Sequence, residues 1–454
     1  MVRRLCLLLL FVFFSASAAP AQQQDEVPIL EGFVTRVVSL NDFDVNGYRV
    51  VFNKDTAVFS QVNDREWQTA TAAPNLGQAA TVTGEVNRKK QLLPAQKIVF
   101  HTPDLSTRSG IALVDRILVP AQSGNSPSRV LVRADGYVIL IQPTAKTTFQ
   151  PPLKSATDIT EGIWIQYHGK PQSDGILLAD SANFIPNTVS DKEAKLLDKN
   201  DYDPAAVDPK AKQNVAREIF LGIDPKQIPP YSDPAMQARI NRIGNSLIPA
   251  FQRSLPDDDL RKIIFKFQLI DNHKWKDALT LPSGVILIPH QVIDKLQNDS
   301  QIATLLADNI AAALEKQSYR LRPARENLTG TGLAGDAAGL FLPGLSLVTG
   351  IATYSAEKKI ETDLVNQSGR VSLGLLHDAG YDINQAPIAW WILAKGSAND
   401  LSGSSMPPRS ANLFLSISST WRSYSDHPST TSGTLQAKPP AEQSRTTANP
   451  TETQ

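Results

Sequence analysis

The side chains best suited to chemistry are six histidines, at positions 101, 168, 273, 290, 377 and 427, and their spacing limits what they can do. No two stand at i and i+4, the spacing that turns two imidazoles toward one ion from a single helix. A cluster assembled in space, such as His273, His377 and His427, stays open. Cys6 is the only cysteine, so a mature chain that loses it has no thiol nucleophile, thiolate ligand or disulfide. Asp308 lies one turn before Ala312 near a buried helix face, and it reads as a solvated residue or as the ion-pair partner of Lys358 or Lys359. Trp164, Tyr167 and His168 share one run and offer either an aromatic ligand face or packing.

The elements that position these residues follow from composition and pattern. At roughly 150 residues per domain, 454 residues suggest about three domains. The chain is 41% hydrophobic and 20% charged, with 45 basic against 45 acidic residues and no dense basic run, which excludes a nucleic-acid-binding surface. Arg3 and Arg4, the apolar run Leu5 to Phe14 and the small residues Ser15 to Ala21 form a secretory leader, residues 1–21. Cleavage after Ala21 starts the mature chain at Gln22 and implies export to the bacterial periplasm or cell envelope. Losing Arg3 and Arg4 leaves 43 basic residues against 45 acidic, a net charge of −2.

From Gly32 to about Pro186 short β-branched runs alternate with turn signals, and no long 3.6-residue period appears. One unit is read twice, over 28–103 and 108–187. Asn46-Gly47 and Asp135-Gly136 mark hairpin turns, because a type I′ turn needs positive φ at both central residues. Order and spacing resemble a small bacterial β-barrel module of unknown function with an OB-like look. Residues 188–208 are a polar linker with a short helix. Asp233-Pro234 then caps a helix carrying Met236, Ile240, Ile243 and Leu247. Asn298 caps a second, with Ile302, Leu305, Leu306, Ile310 and Ala313 on its buried face. Pro282-Ser283-Gly284 bends the chain between two apolar runs, and Trp390 and Trp391 read as packing. The Ser, Thr, Pro and Gln of 430–454 form a disordered tail.

Within a helical domain over 209–429, the element order from Pro234 to near Pro428 resembles the HtpX-type and CAAX-prenyl-protease-type zinc metallopeptidases. The similarity is carried by Asp277-Ala278-Leu279-Thr280-Leu281-Pro282-Ser283-Gly284, the Asn-Asp helix start, Ala379-Gly380-Tyr381-Asp382 and Asp426-His427-Pro428. In that family the helix carries His-Glu-x-x-His, and here those five positions read Asp308-Asn309-Ile310-Ala311-Ala312. Ala312 offers no ligand atom, and neutral Asn309 cannot act as general base. The third-ligand position falls on Val365 or on Lys359, neither of which holds zinc. The resemblance therefore implies a degenerate, non-catalytic member with no metal and no cofactor.

The fold expected is multidomain α+β: two tandem small antiparallel barrels, then a mainly helical metallopeptidase-like domain with a small β-sheet. The family's edge strand places substrate binding at Leu279, Leu281, Gly284, Val285 and Leu287, where backbone pairing needs no catalytic residue. The expected partner is a polypeptide or envelope protein, in a chaperone-like, scaffolding or inhibitory role. Two alternatives stand beside it: an active zinc metallopeptidase with relocated ligands, and a binding module acting through the β repeats. The apolar segment 328–353 reads as a buried hairpin or cleft plug, or as membrane-surface contact through 337–353.

Overall fold

The computed structural model describes residues 28–63, 66–120, 129–199, 202, 228–320, 354–396 and 406–421. The leader, the segment 328–353, the tail, Asp426-His427-Pro428 and the Lys358 and Lys359 side chains lie outside the described residues. The chain is mixed α+β, with a closed five-stranded barrel and helices in its C-terminal part. It divides into two compact units, the first carrying β1 to β8 and the second everything from β9 onward.

The first unit runs β1 (Ile29–Ser39), β2 (Asp42–Val45), β3 (Tyr48–Val51), β4 (Ala57–Asn63), β5 (Glu66–Thr69), β6 (Ala79–Thr83), β7 (Leu92–Pro94) and β8 (Lys97–Phe100). Its order is β5-β4-β8-β6-β1-β2-β3-β7. Alternate residues of each strand turn inward, so Val34, Phe43, Val45, Val82, Leu93 and Ile98 fill one apolar core. The second unit begins with β9 (Arg108–Val119), β10 (Val130–Ala134), β11 (Tyr137–Ile141), β12 (Lys146–Phe149), β13 (Trp164–Pro171) and β14 (Leu177–Ile185). β9-β10-β11-β14-β13 closes through a parallel β11–β14 pairing, and β12 adds parallel to β14.

The two sheets repeat one plan. In the first unit β7 and β8 share the work that β14 does alone: β3 pairs parallel with β7, and β4 pairs parallel with β8. The hairpin turns form as their sequences require, with φ of 48° and 76° at Asn46-Gly47 and 55° and 70° at Asp135-Gly136.

The helical part comprises α1 (Asp191–Lys199), α2 (Pro234–Leu247), α3 (Ala250–Arg253), β15 (Lys266–Ile270), β16 (Leu279–Thr280), β17 (Val285–Pro289), α4 (His290–Ile293), α5 (Asp299–Leu314), α6 (Tyr354–Asp378), α7 (Gln385–Lys395) and α8 (Pro408–Ser416). Both expected caps form: Met236 N donates to Asp233 Oδ1 at 2.9 Å, and Gln301 N donates to Asn298 Oδ1 at 3.0 Å. α5 is buried nearly all round against α2, α6 and α7.

The second barrel is not a bead on a string beside this bundle. Ile111, Leu113, Trp164 and Ile185 from its outer face belong to the same core cluster as Ile240, Leu305 and Trp390 of the helices. Among the described residues no helix is long and apolar enough to cross a membrane.

Candidate functional site

Asp308 lies on α5 with its side chain turned into the bundle. Ser368 Oγ of α6 donates to Asp308 Oδ1 at 3.1 Å, and Arg409 of α8 pairs with Asp308 Oδ2. The same guanidinium reaches Asp277 Oδ2 at 3.1 Å and lies 3.2 Å from the ring centroid of Trp390. Burial alone would lower the Arg409 pKa, but Asp308 and Asp277 more than reverse it, so the cation is permanent. The ion-pair reading of Asp308 finds a cation in Arg409, and the Lys358 and Lys359 side chains lie outside the described residues.

The neighbouring motif positions are equally committed. Asn309 Nδ2 donates to Leu305 O at 2.8 Å, and its Oδ1 accepts the Thr280 hydroxyl at 2.7 Å. Ala312 contributes a methyl group to the wall of a cleft. Zinc does not fit this helix face, since one carboxylate is spent on a fixed guanidinium and the i+4 position has no donor atom. Gly369 stands beside Asp308, a Cβ there lying 3.9 Å from Oδ1.

The expected peptide edge needs correction in part. In the order β15-β17-β16 the strand Val285–Pro289 is central and paired on both sides. Leu281, Val285 and Leu287 point into a small core with Ile228 and Ile270, while Leu279 packs at its margin. Gly284 makes the bend, at φ 95°, with Leu281 N donating to Val285 O at 2.8 Å. Only Leu279–Thr280 remains as an edge on that side. The opposite edge, β15, is closed by the Gln237 amide, which accepts from Leu269 N at 3.0 Å and donates to Phe267 O at 2.6 Å.

Beside Ala312 opens a cleft of about 360 Å³. Leu260, Ile263, Ile264, Leu281 and Pro282 supply apolar walls, and Leu196 and Leu197 of α1 contribute another. Leu260 and Ile264, both lining this cleft, are 67% and 50% exposed, an unusual amount of aliphatic surface to leave in water at one site.

The aromatic face on the second barrel is not assembled. Trp164 is buried in the helical core with its indole N–H donating to Asn187 Oδ1 at 3.3 Å. Tyr167 is buried with its hydroxyl on Asp135 Oδ2 at 2.7 Å, and His168 stands exposed 3.4 Å from Asp180. Nor do His273 and His377 meet: His273 faces Asp271 and His290, while His377 contacts Asp378 and Trp421. His427 is outside the described residues.

Sequence reasoning missed the charged seam that joins the barrel to the helices. Arg133, 1% exposed, donates through Nε to Asp115 at 2.9 Å and through Nη2 to Asp378 of α6 at 2.6 Å. Gly374 makes room for it, since a Cβ there would lie 2.9 Å from the guanidinium carbon. Arg370 of α6 donates through Nη2 to Asp135 Oδ1 at 2.5 Å and through Nε to Asp135 O at 3.1 Å. Leu113 N donates to Glu315 Oε1 at 3.1 Å, and Gln367 Nε2 donates to Ile111 O at 2.9 Å. The available signal was a charge inside an apolar strand, as in Val130-Leu131-Val132-Arg133-Ala134.

Burial decides the titration of Glu315 and Asp115 but not that of Asp378. It pushes Glu315 up to about 8, outweighing Arg320 at 3.6 Å, and pushes Asp115 up to about 6 against the pull of Arg133. Burial also acts to raise Asp378, but Arg133, His377 and Arg116 overcome it and hold that carboxyl well below the usual range. No family model and no curated protein matches the chain.

Proposed function

We propose that the chain is an exported, non-catalytic protein built on a metallopeptidase-like helical scaffold, which binds polypeptide in the cleft beside α5. Two OB-like barrels precede that scaffold on this reading. The observation that carries it is Arg409, stacked on Trp390 and fixed between Asp308 and Asp277. A permanent side-chain cation compensates the one carboxylate left in the motif, while Asn309 and Ala312 supply neither base nor ligand. The resemblance and this replacement together support a binding protein over a hydrolase.

The exposed Leu260 and Ile264 favour a partner that presents apolar side chains to the cleft, as an extended or unfolded chain does. The closed β15 edge and the two-residue β16 edge make side-chain capture the main source of affinity, with backbone pairing secondary.

The test is fluorescence anisotropy of a labelled unfolded polypeptide titrated with the mature chain, zinc added, with cleavage followed in the same sample by electrophoresis. Saturable binding without cleavage, weakened at least about tenfold by Leu260→Asp with Ile264→Asp, supports the reading; that ratio corresponds to about 1.4 kcal/mol. Chelator-sensitive cleavage, or binding indifferent to both substitutions, contradicts it.

A further inference from the structure

We propose that Asp271, His273 and His290 form a binding site for one divalent transition-metal ion of the zinc type. The three residues sit at the ends of the two parallel strands of the small sheet, Asp271 and His273 just beyond β15 and His290 just beyond β17. One ligand atom from each lies within 4.8 Å of the others. His273 Nε2 is 3.2 Å and His290 Nε2 is 3.8 Å from the same oxygen, Asp271 Oδ1. Bonds of about 2.0–2.1 Å in a tetrahedral shell put neighbouring ligand atoms roughly 3.4 Å apart, so these separations need only small adjustment.

The surroundings look after the ligands. Asp294 Oδ2 is 3.2 Å from His290 Nδ1, placed to accept an N–H there when Nε2 ligates an ion. A carboxylate behind a ligating imidazole sets the tautomer and strengthens the ligand. Tyr231 stacks on the same ring, with centroids 3.8 Å apart and planes 8° from parallel.

The loop is also held in place. Asp271 N donates to Pro229 O at 2.8 Å, and Asn272 Oδ1 accepts from Lys274 N at 3.0 Å and Trp275 N at 3.2 Å. Gln291, next to His290, donates to Asn272 O and to Trp275 O, so the two ligand-bearing segments are tied to each other without the ion.

A surface pairing of Asp271 with His273 alone would contribute about 0–1 kcal/mol and needs none of this support. Two imidazoles turned onto one carboxylate oxygen, the more buried one oriented by a second carboxylate, is the arrangement an imidazole-preferring ion selects. None of the three residues lines the cleft beside Ala312. The site is therefore separate from the degenerate motif, and its open side leaves coordination positions for water or an incoming donor.

The test uses the full mature chain, made without a polyhistidine tag, stripped of metal and titrated with zinc alone by calorimetry and with cobalt(II) by visible absorption. The expected result is one ion per chain, abolished by His273→Ala with His290→Ala and weakened roughly 10- to 100-fold by Asp294→Asn. His377→Ala should leave it unchanged. His273 is 74% exposed, so His273→Ala alone tests the site without endangering the fold, and unchanged circular dichroism confirms that. Absence of zinc binding by the folded chain, or stoichiometric binding that survives the double substitution, would overturn the proposal.

Discussion

Asn46 and Asp135 occupy the same corner of two sheets with the same strand plan, yet they do different work. Asn46, in the β2–β3 turn, serves β1 of its own unit: its Oδ1 accepts from Phe33 N at 3.0 Å and its Nδ2 reaches Glu31 O at 3.5 Å. Asp135 can only accept, and it takes the Tyr167 hydroxyl and the Arg370 guanidinium of α6. Opposite the glycine that faces each corner stands Ala80 in the first unit and Tyr167 in the second. Exchange of an amide for a carboxylate therefore turns a self-sufficient hairpin into an attachment point. In the first unit Asn46 finds its partners on β1, whereas the barrel of the second unit shares both charges and its apolar outer face with the helices.

The sharpest way to break this contrast is Arg133→Met. It strands buried Asp115 without its cation and leaves Asp378 to Arg116 and His377, and removing one partner of a buried pair costs about 3–5 kcal/mol. Urea unfolding should show that loss in the transition of the second unit and leave the first unit's transition in place.

Exchanging the two corners comes next. Asp135→Asn keeps the turn but withdraws charge from Arg370, at about 1.5–3 kcal/mol. Asn46→Asp sets an acid against the Glu31 carbonyl and should destabilise the first unit by about 1–3 kcal/mol. Equal and small effects on both units would remove the asymmetry.

Glu315 gives a pH signature. Its carboxyl is raised by burial to about 8, so its contribution is complete below the ordinary carboxylate range and is lost as pH rises through about 8. Glu315→Gln, which keeps an acceptor for Leu113 N, should flatten the decline in melting temperature between pH 5 and pH 9. The gain appears at the alkaline end. A variant that declines in parallel with the parent would place the titrating group elsewhere. The smallest expected effect on stability is that of Ile264→Asp, within about 0.5 kcal/mol, because the residue is half exposed.

Much of the fold was legible because local chemistry decided it. Asn46-Gly47 and Asp135-Gly136 demand positive φ, and Asp233-Pro234 and Asn298 satisfy helix N-termini whatever lies nearby. The seam was not legible because its partners are far apart in the chain: Arg133 meets Asp378, and Arg409 meets Asp308, only after the helices pack. Alternation along β13 left Trp164 undecided between two faces, and only the neighbouring helices show that its side is interior. The candidate site was half legible. Asp308, Asn309 and Ala312 offer no zinc-binding set at i and i+4, which the sequence shows, but the cation that pairs with Asp308 follows Pro407-Pro408, where no spacing rule points. The edge strand was misplaced for a similar reason, since pairing on both sides of β17 depends on β15, which sequence proximity does not reveal.

The most direct test of the central claim is simultaneous measurement of capture and cleavage of an unfolded polypeptide by the zinc-supplemented mature chain. Saturable binding that Leu260→Asp with Ile264→Asp weakens at least about tenfold, with the polypeptide recovered intact, is the predicted result. Fragments whose formation stops on adding a chelator would contradict it and make the chain a metal-dependent hydrolase.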